Sequence, residues 1–532
     1  MTIRLSGIFC LLVFFAQAEP RMAGPRLAGP RLAAPQHAGP GIHQPKYWVL
    51  LQDKDRASAV ALSPAAIAQR KLQNLPLDDT DQPVSAVYLN ELKQAGVQPI
   101  CQSRWLNAVS AQLTAEQYAK VVKMPFVKAI QAIDPAIVIT STGLPSNPQM
   151  APVMSQIQAP DFMRAGLTGR FVNVGVIDAG FFGADSAHAL KHVFARDGVK
   201  RVRDYVNEKK THNDLFRTLE SNADFHGTEV LAAIAGSDPT ENIQFGLATD
   251  ATFYLARTDQ GNREYRGEED NWVAAMEWMD SLGVRLINTS LGYAKGMSNP
   301  KDNYEPGQMD GHTSLISQAA QIAADKKGIL IIVSAGNEGE DRSWRIISTP
   351  ADAQGVLAIG ATNARLWNRI GYSSIGPESL PYLKPNVACF SLYGTSLSAP
   401  VITGFAACIM QANPRLTNKE VMEIIEKSAH LYPYGNNYVG YGVPQASRAL
   451  ALLRNQQLPA APRVVQATGK TVTLPVDTNE LAVSVFHKKD AIHVLQQEAA
   501  KVNNGKLILR RATDEKQTTV DLKKEVIEII WE

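Results

Sequence analysis

Gly394-Thr-Ser-Leu-Ser-Ala-Pro400 sets Ser396 between a turn residue and a run of small side chains that leads into an apolar segment, 401–410. A serine hydroxyl attacks poorly near neutral pH unless a base takes its proton and fixed donors hold the oxyanion that results. Residues of both kinds lie upstream. Asp178 ends the apolar run Val174-Gly-Val-Ile-Asp-Ala-Gly180, His226 sits in Asp224-Phe-His-Gly-Thr-Glu-Val230, and Asn337 sits in Ser334-Ala-Gly-Asn-Glu-Gly339. The chain order Asp, His, Asn, Ser is one of the known orders of a nucleophile, base and acid triad. Singly, each motif has a plainer reading: Ser396 as a helix N-cap, Asp178 as a strand-end turn, Asn337 as a loop residue between glycines. Their joint presence, in this order, argues against four separate accidents.

Working outward, apolar strand-like runs at 172–178, 252–256, 284–291, 328–334 and 356–360 alternate with helical patterns at 268–282, 314–326 and 396–411. That alternation predicts an α/β fold, a mainly parallel sheet with helices on both faces. Such sheets hold their sites beyond the carboxyl ends of the strands. Asp178, Ser290 and Asn337 all fall at or just past such ends.

The four segments together resemble the subtilisin-like serine peptidases (subtilases), and the resemblance spans about 150–450. It implies a catalytic domain over 161–455, with Ser396 as nucleophile, His226 as general base, Asp178 orienting the imidazole and Asn337 donating to the oxyanion. It also implies that peptide substrate lies along Ser290, Leu291 and Gly292, with Ala335 and Gly336 as the opposite wall of the first specificity pocket. The function implied is a secreted endopeptidase that cuts proteins and peptides through an acyl-enzyme, made as a self-inhibited precursor. A catalytically inactive scaffold on the same fold is the alternative. No cofactor is required for the chemistry. Calcium is a structural ion in relatives, but no acidic cluster assigns it here. Three departures stand out. Glu229 replaces a second histidine. Tyr293 replaces a glycine and is expected to narrow the substrate groove. Only nine residues, 387–395, separate Lys384-Pro-Asn386 from Ser396, which removes a hairpin beside the nucleophile.

The flanks read differently. A charged tip, a short apolar core and Ala16-Gln-Ala18 form a signal-peptide pattern over 1–18. A Pro/Gly-rich repeat makes 19–45 an extended spacer. Residues 46–136 read as a compact α+β unit, with helices at 63–72 (Ser63 as N-cap), 84–95 and 114–122 (a Thr114/Gln117 capping box). The unit resembles an inhibitory prodomain of Bacteroidetes subtilases, and would act as an intramolecular inhibitor. The proline-rich 137–160 reads as a linker that holds the maturation cleavage, and 460–532 as a small C-terminal β domain. A net charge of +2 with 20% charged residues points to no nucleic-acid partner. After the leader is removed nothing predicts a membrane anchor, and the mature chain is expected to be an exported monomer. The spacing of His188 and His192 is read as a surface helix rather than a metal site. Cys101, Cys389 and Cys408 are read as free, mostly buried thiols.

Overall fold

The computed structural model describes residues 45–54, 60, 62–133, 147–207, 212–238, 240, 243–260, 268–295, 303–458, 462–478 and 480–532. The leader, the spacer up to 44 and residues 137–146 of the linker lie outside them.

The first sheet runs in the order β2-β3-β1-β4 and is antiparallel throughout. Its strands are β1 (Lys46–Leu51), β2 (Pro99–Ser103), β3 (Ala108–Gln112) and β4 (Val127–Ile133). Helix α1 (Pro64–Leu72) pairs its Arg70 with Asp280 of the catalytic chain, and helices α2 (Ala86–Gln94) and α3 (Ala115–Val121) pack with the sheet through Leu92 and Val121. The caps are those expected. Ser63 accepts the Ala66 N–H, and Thr114 and Gln117 cap each other reciprocally.

Residues 147–156, read above as linker, form helix α4 (Asn147–Gln156), followed by α5 (Ala159–Arg164). Val153, Met154 and Ile157 are buried in the catalytic core, so apolar burial outweighs the helix-breaking effect of Pro152.

The central sheet is seven-stranded and parallel, in the order β13-β12-β11-β10-β5-β9-β6. In chain order it is built from β5 (Asn173–Asp178), α6 (Lys191–Ala195), β6 (Val199–Asp204), α7 (His226–Ala235), the short hairpin β7 (Ser237–Asp238) and β8 (Ile243–Gln244), β9 (Thr252–Arg257), α8 (Glu269–Ser281), β10 (Leu286–Thr289), α9 (Leu315–Lys327), β11 (Leu330–Ser334), β12 (Leu357–Thr362), β13 (Val387–Phe390), α10 (Ser398–Ala412), α11 (Asn418–Ser428) and α12 (Ala446–Leu453). Alternate strand residues feed two cores. Val174, Val176, Leu286 and Ile332 face α7 and α10, whereas Ile177, Ile287, Ile331 and Val333 face α8 and α9. Burial on both faces explains why these strands read as continuous apolar runs. The chain lays β6 and β9 to one side of β5 and β10 through β13 to the other. Sheets of this kind bind ligands where the order reverses. Helix α10 is apolar enough over its length to suit a membrane, but it lies at the centre of the molecule.

The third sheet follows the order β14-β20-β19-β16-β17-β18-β15. Its strands are β14 (Arg463–Ala467), β15 (Thr471–Pro475), β16 (Ala482–Lys488), β17 (Val494–Asn503), β18 (Lys506–Arg510), β19 (Gln517–Asp521) and β20 (Val526–Trp531). His188 and His192 fall on a short 3-10 turn and on α6, not on one surface helix. His192 is half-buried against the Ser237 hydroxyl. All three described cysteines are free thiols.

Candidate active site

Asp178 is the last residue of β5 and His226 the first of α7. Asp178 Oδ1 lies 2.7 Å from His226 Nδ1, and both side chains are buried. Asp178 Oδ1 also accepts the Ala179 N–H at 2.8 Å. With Nδ1 committed to the carboxylate, the other ring nitrogen, Nε2, has no hydrogen-bond partner among the described residues. Two glycines permit this approach. A Cβ on Gly180 would stand 2.5 Å from Asp224 Cα, and one on Gly227 would stand 2.3 Å from the Gly180 carbonyl oxygen. Arg257, at the end of β9, ties the two segments together. Its Nε donates to the Ala179 carbonyl at 3.0 Å and its Nη2 lies 3.0 Å from Asp224 Oδ1. Sequence reading missed Arg257 because no local motif surrounds it.

Burial alone would pull the His226 pKa down. The charge and hydrogen bond of Asp178 outweigh burial, Glu229 adds to them, and the imidazole titrates above its usual range. Glu229 follows one turn later on α7. Burial pushes its carboxyl up to about 7, against the pull of His226 and with help from Asp178.

Ser396 lies in a single 3-10 turn, Thr395–Leu397, and α10 begins at Ser398. The sequence reading had Ser396 opening the helix itself. The turn packs against α7. Gly394 before it has φ 138°, ψ 152°, a conformation closed to side chains with a Cβ. Ser290 Oγ donates to the Ser396 carbonyl at 2.9 Å, and Asn288 Nδ2 donates to Ser290 Oγ at 3.1 Å. Asn337 lies in the loop after β11. Its Oδ1 accepts both the N–H and the hydroxyl of Thr395, each at 2.9 Å. Those two bonds fix the orientation of the carboxamide. The oxyanion candidate and the nucleophile candidate are thus tied through Thr395.

Ser290 to Gly292 follow β10, and Ala335 and Gly336 follow β11, the neighbouring parallel strand. Leu291 and Ala335 turn their side chains into the core. Ser348 sits between the two walls. Its Oγ would lie 2.1 Å from a Cβ on Gly292 and 3.6 Å from one on Gly336. No sequence signal pointed to Ser348. Tyr293 does not narrow the groove, contrary to expectation. Its ring is fully buried, its hydroxyl donates to Asp259 Oδ1 at 3.1 Å, and its backbone pairs with Thr349. A residue next to Gly292 on an extended strand points to the opposite face.

The first sheet covers α8 and α9. Glu277 on α8 accepts the Ser103 hydroxyl at 2.6 Å and the N–H groups of Arg104 and Trp105, each at 3.1 Å. Asp280 pairs with Arg70 at 2.7 Å and Arg104 at 2.6 Å, and Asp270 with Lys46 at 2.7 Å. Lys327 of α9 reaches Asp81 at 2.8 Å. Among the described residues no cluster of His, Cys, Asp and Glu is arranged to hold a metal ion.

Comparison with known proteins identifies the family. The subtilase family model matches residues 169–442, just over half of the chain, and a propeptide model of Bacteroidota S8 peptidases matches 46–147. Subtilisin NAT of Bacillus subtilis subsp. natto is 29% identical over 305 residues, covering 54% of this chain and 68% of that protein. A thermostable alkaline protease of Halalkalibacterium halodurans is 26% identical over 404 residues, covering 74% of this chain and 97% of that one. The solved MycP1 protease of the ESX-1 type VII secretion system is 23% identical, with a TM-score of 0.44 over 62% of this chain and 93% of that one. The chain belongs to the subtilase family and is a serine-type endopeptidase that carries its propeptide.

Proposed function

We propose that Ser396, His226, Asp178 and Asn337 carry out peptide-bond hydrolysis through an acyl-enzyme, in an exported protein that matures by cutting its own linker. The observation that supports this best is the buried Asp178–His226 pair at 2.7 Å, with Nε2 unpartnered where α7 meets the Ser396 turn. Ser396 Oγ attacks the scissile carbonyl carbon as its proton passes to His226 Nε2. The Ser396 N–H and Asn337 Nδ2 hold the oxyanion. The imidazolium, stabilised by Asp178, protonates the departing amine, and water then releases the acyl group by the same steps. Peptide lies along Ser290–Gly292 as an added strand. Ser348 forms the floor of the first pocket and favours small side chains there. Residues 46–136 act as intramolecular inhibitor until the bond in 134–159 is cut, and the leader is removed near Ala18. No cofactor takes part in these steps, and the enzyme works as a monomer.

A fluorophosphonate probe tests the chemistry. Wild type should label once matured, and Ser396→Ala should not, while accumulating as uncut precursor. Labelling that survives in Ser396→Ala would remove Ser396 from the mechanism. Asn337→Ala should lower kcat about a hundredfold, which corresponds to ~3 kcal/mol of barrier. N-terminal sequencing of the exported protein should give a start within 134–159; a start near residue 19 would refute self-processing.

A further inference from the structure

We propose that the C-terminal sheet is a positioning element of the active site, acting through Gln497, Arg369 and Tyr372. The proposal rests on the serine-nucleophile reading above. It starts from the short connection before Ser396. Only residues 391–394 separate β13 from the 3-10 turn, and Leu392 and Tyr393 at its tip are exposed. The tip closes on itself through one side-chain bond, from Ser391 Oγ to the Gly394 carbonyl at 2.6 Å. Tyr372 is the outside group that ties the same two ends to the rest of the chain. Its hydroxyl donates to the Ser391 carbonyl at 2.8 Å and accepts the Gly394 N–H at 3.1 Å, clasping both ends of the turn that delivers Ser396.

The segment carrying Tyr372 also holds the oxyanion loop on both sides of Asn337. The Tyr372 carbonyl accepts the Gly339 N–H at 2.7 Å, and the Ser374 N–H donates to the Gly336 carbonyl at 3.0 Å. Ser374 Oγ accepts the Glu338 N–H at 3.0 Å. Residues 371–374 therefore fix the spacing between the nucleophile turn and the oxyanion donor.

That segment is shaped by Arg369. One guanidinium nitrogen, Nη1, donates to the Gly371 and Ser373 carbonyls, each at 2.6 Å. The space is so close that a Cβ on Gly339 would stand 2.2 Å from the Ser373 oxygen and 2.5 Å from Nη1. Arg369 is in turn held from the C-terminal sheet. Gln497 on β17 accepts the Arg369 N–H at 3.1 Å and donates to the Arg369 carbonyl at 2.8 Å. One side-chain amide thus pairs with a residue's backbone on both sides, as a neighbouring strand would. Gln497 is half-exposed and acts only through Arg369 and Tyr372, so it is a positioning residue.

The test uses the matured full-length enzyme and measures kcat, KM, the fluorophosphonate inactivation rate and the thermal midpoint. Tyr372→Phe keeps the ring and removes both clasping bonds; kcat and the inactivation rate should fall about tenfold, with KM within about twofold. Gln497→Ala should lower kcat by about three- to tenfold, and Gln497→Glu, which retains the acceptor, by less. Lys489→Ala removes an exposed ion pair with Glu378 that also joins the C-terminal sheet to the catalytic chain, and should leave kcat unchanged. Thermal midpoints should stay close to wild type throughout. Gln497→Ala with wild-type kcat, or a loss shared equally by Lys489→Ala, would overturn the proposal. Should Tyr372→Phe remain a precursor, the Gln497 pair decides. A wild type that never labels would instead sink the serine-nucleophile reading and this proposal with it.

Discussion

The first sheet and the third sheet both press on the catalytic body, but by different chemistry. The propeptide meets α8 and α9 through buried ion pairs laid beside an apolar contact in which Trp48, Trp105, Ala108 and Ile133 join the catalytic core. Asp270, Glu277, Asp280 and Lys327 face Lys46, Arg104, Arg70 and Asp81, with Trp48 and Trp105 packed among them. The C-terminal sheet shares an apolar core with the catalytic chain, in which Phe486, Val494 and Val526 pack with Ala388, Leu431, Tyr438 and Val439. Backbone bonding from Asn437 to Ile492 and a buried His430–Asp521 contact at 3.0 Å complete that seam. Charged groups recover hydration when parted, so an ion-paired interface costs less to open than its contacts suggest. Apolar surface recovers nothing, and separation exposes it to water. The contrast fits a propeptide that leaves and a C-terminal sheet that stays.

The comparison can be broken at either seam. Phe486→Ala should show the largest effect, a loss of about 3–5 kcal/mol in unfolding free energy measured by denaturant titration, because it opens a cavity in the shared core. Propeptide retention should not change. Equal destabilisation of propeptide binding would erase the distinction. Glu277→Ala should leave the Ser103 and Trp105 donors unpaired and weaken propeptide retention about a hundredfold, or ~3 kcal/mol. Gel filtration of Ser396→Ala precursor, cut in the linker by an added protease, reads this directly. Co-elution as tight as in the parent would show that the apolar contacts dominate that seam too.

Two smaller changes touch neither seam and sharpen the contrast as references. Ser348→Gly should enlarge the first pocket and raise cleavage after larger residues about tenfold relative to alanine, as a methylene-scale change allows. An unchanged peptide-library profile would remove Ser348 from the pocket floor. Glu229→Gln should shift only the pH profile. His226 must be neutral to act as base, so activity is present above its pKa and lost as pH falls through it. Asp178 and Glu229 raise that pKa against burial, so the acid limb of kcat/KM should lie above the ordinary imidazole value. Removing the Glu229 charge should move the limb to lower pH by a few tenths. A limb that moves upward would contradict the sign of the Glu229–His226 interaction.

Much of the fold was legible because its signals are local. Two-sided burial made β5, β10 and β11 continuous apolar runs, and the N-cap at Ser63 and the capping box at Thr114 marked helix starts. β6, α7, β14 and β20 escaped notice. Val199–Asp204 carries four charged residues, at 200, 201, 203 and 204, along an edge strand, and α7 hides inside the His226 motif. The helix over 147–156 was obscured by its prolines, since its stability comes from the core beneath it rather than from its own propensity.

The sequence by itself determined which side chains of the proposed reaction are present and in what order, because residue type and local turn chemistry are written in a few neighbouring positions. Only the tertiary structure decided that Arg257 reaches back to Ala179, that Ser348 stands between Gly292 and Gly336, that Tyr293 turns inward, and that Gln497 grips Arg369 from 128 positions away. Those contacts join segments distant along the chain. Their geometry follows from how sheets and helices pack, which no short stretch of residues encodes.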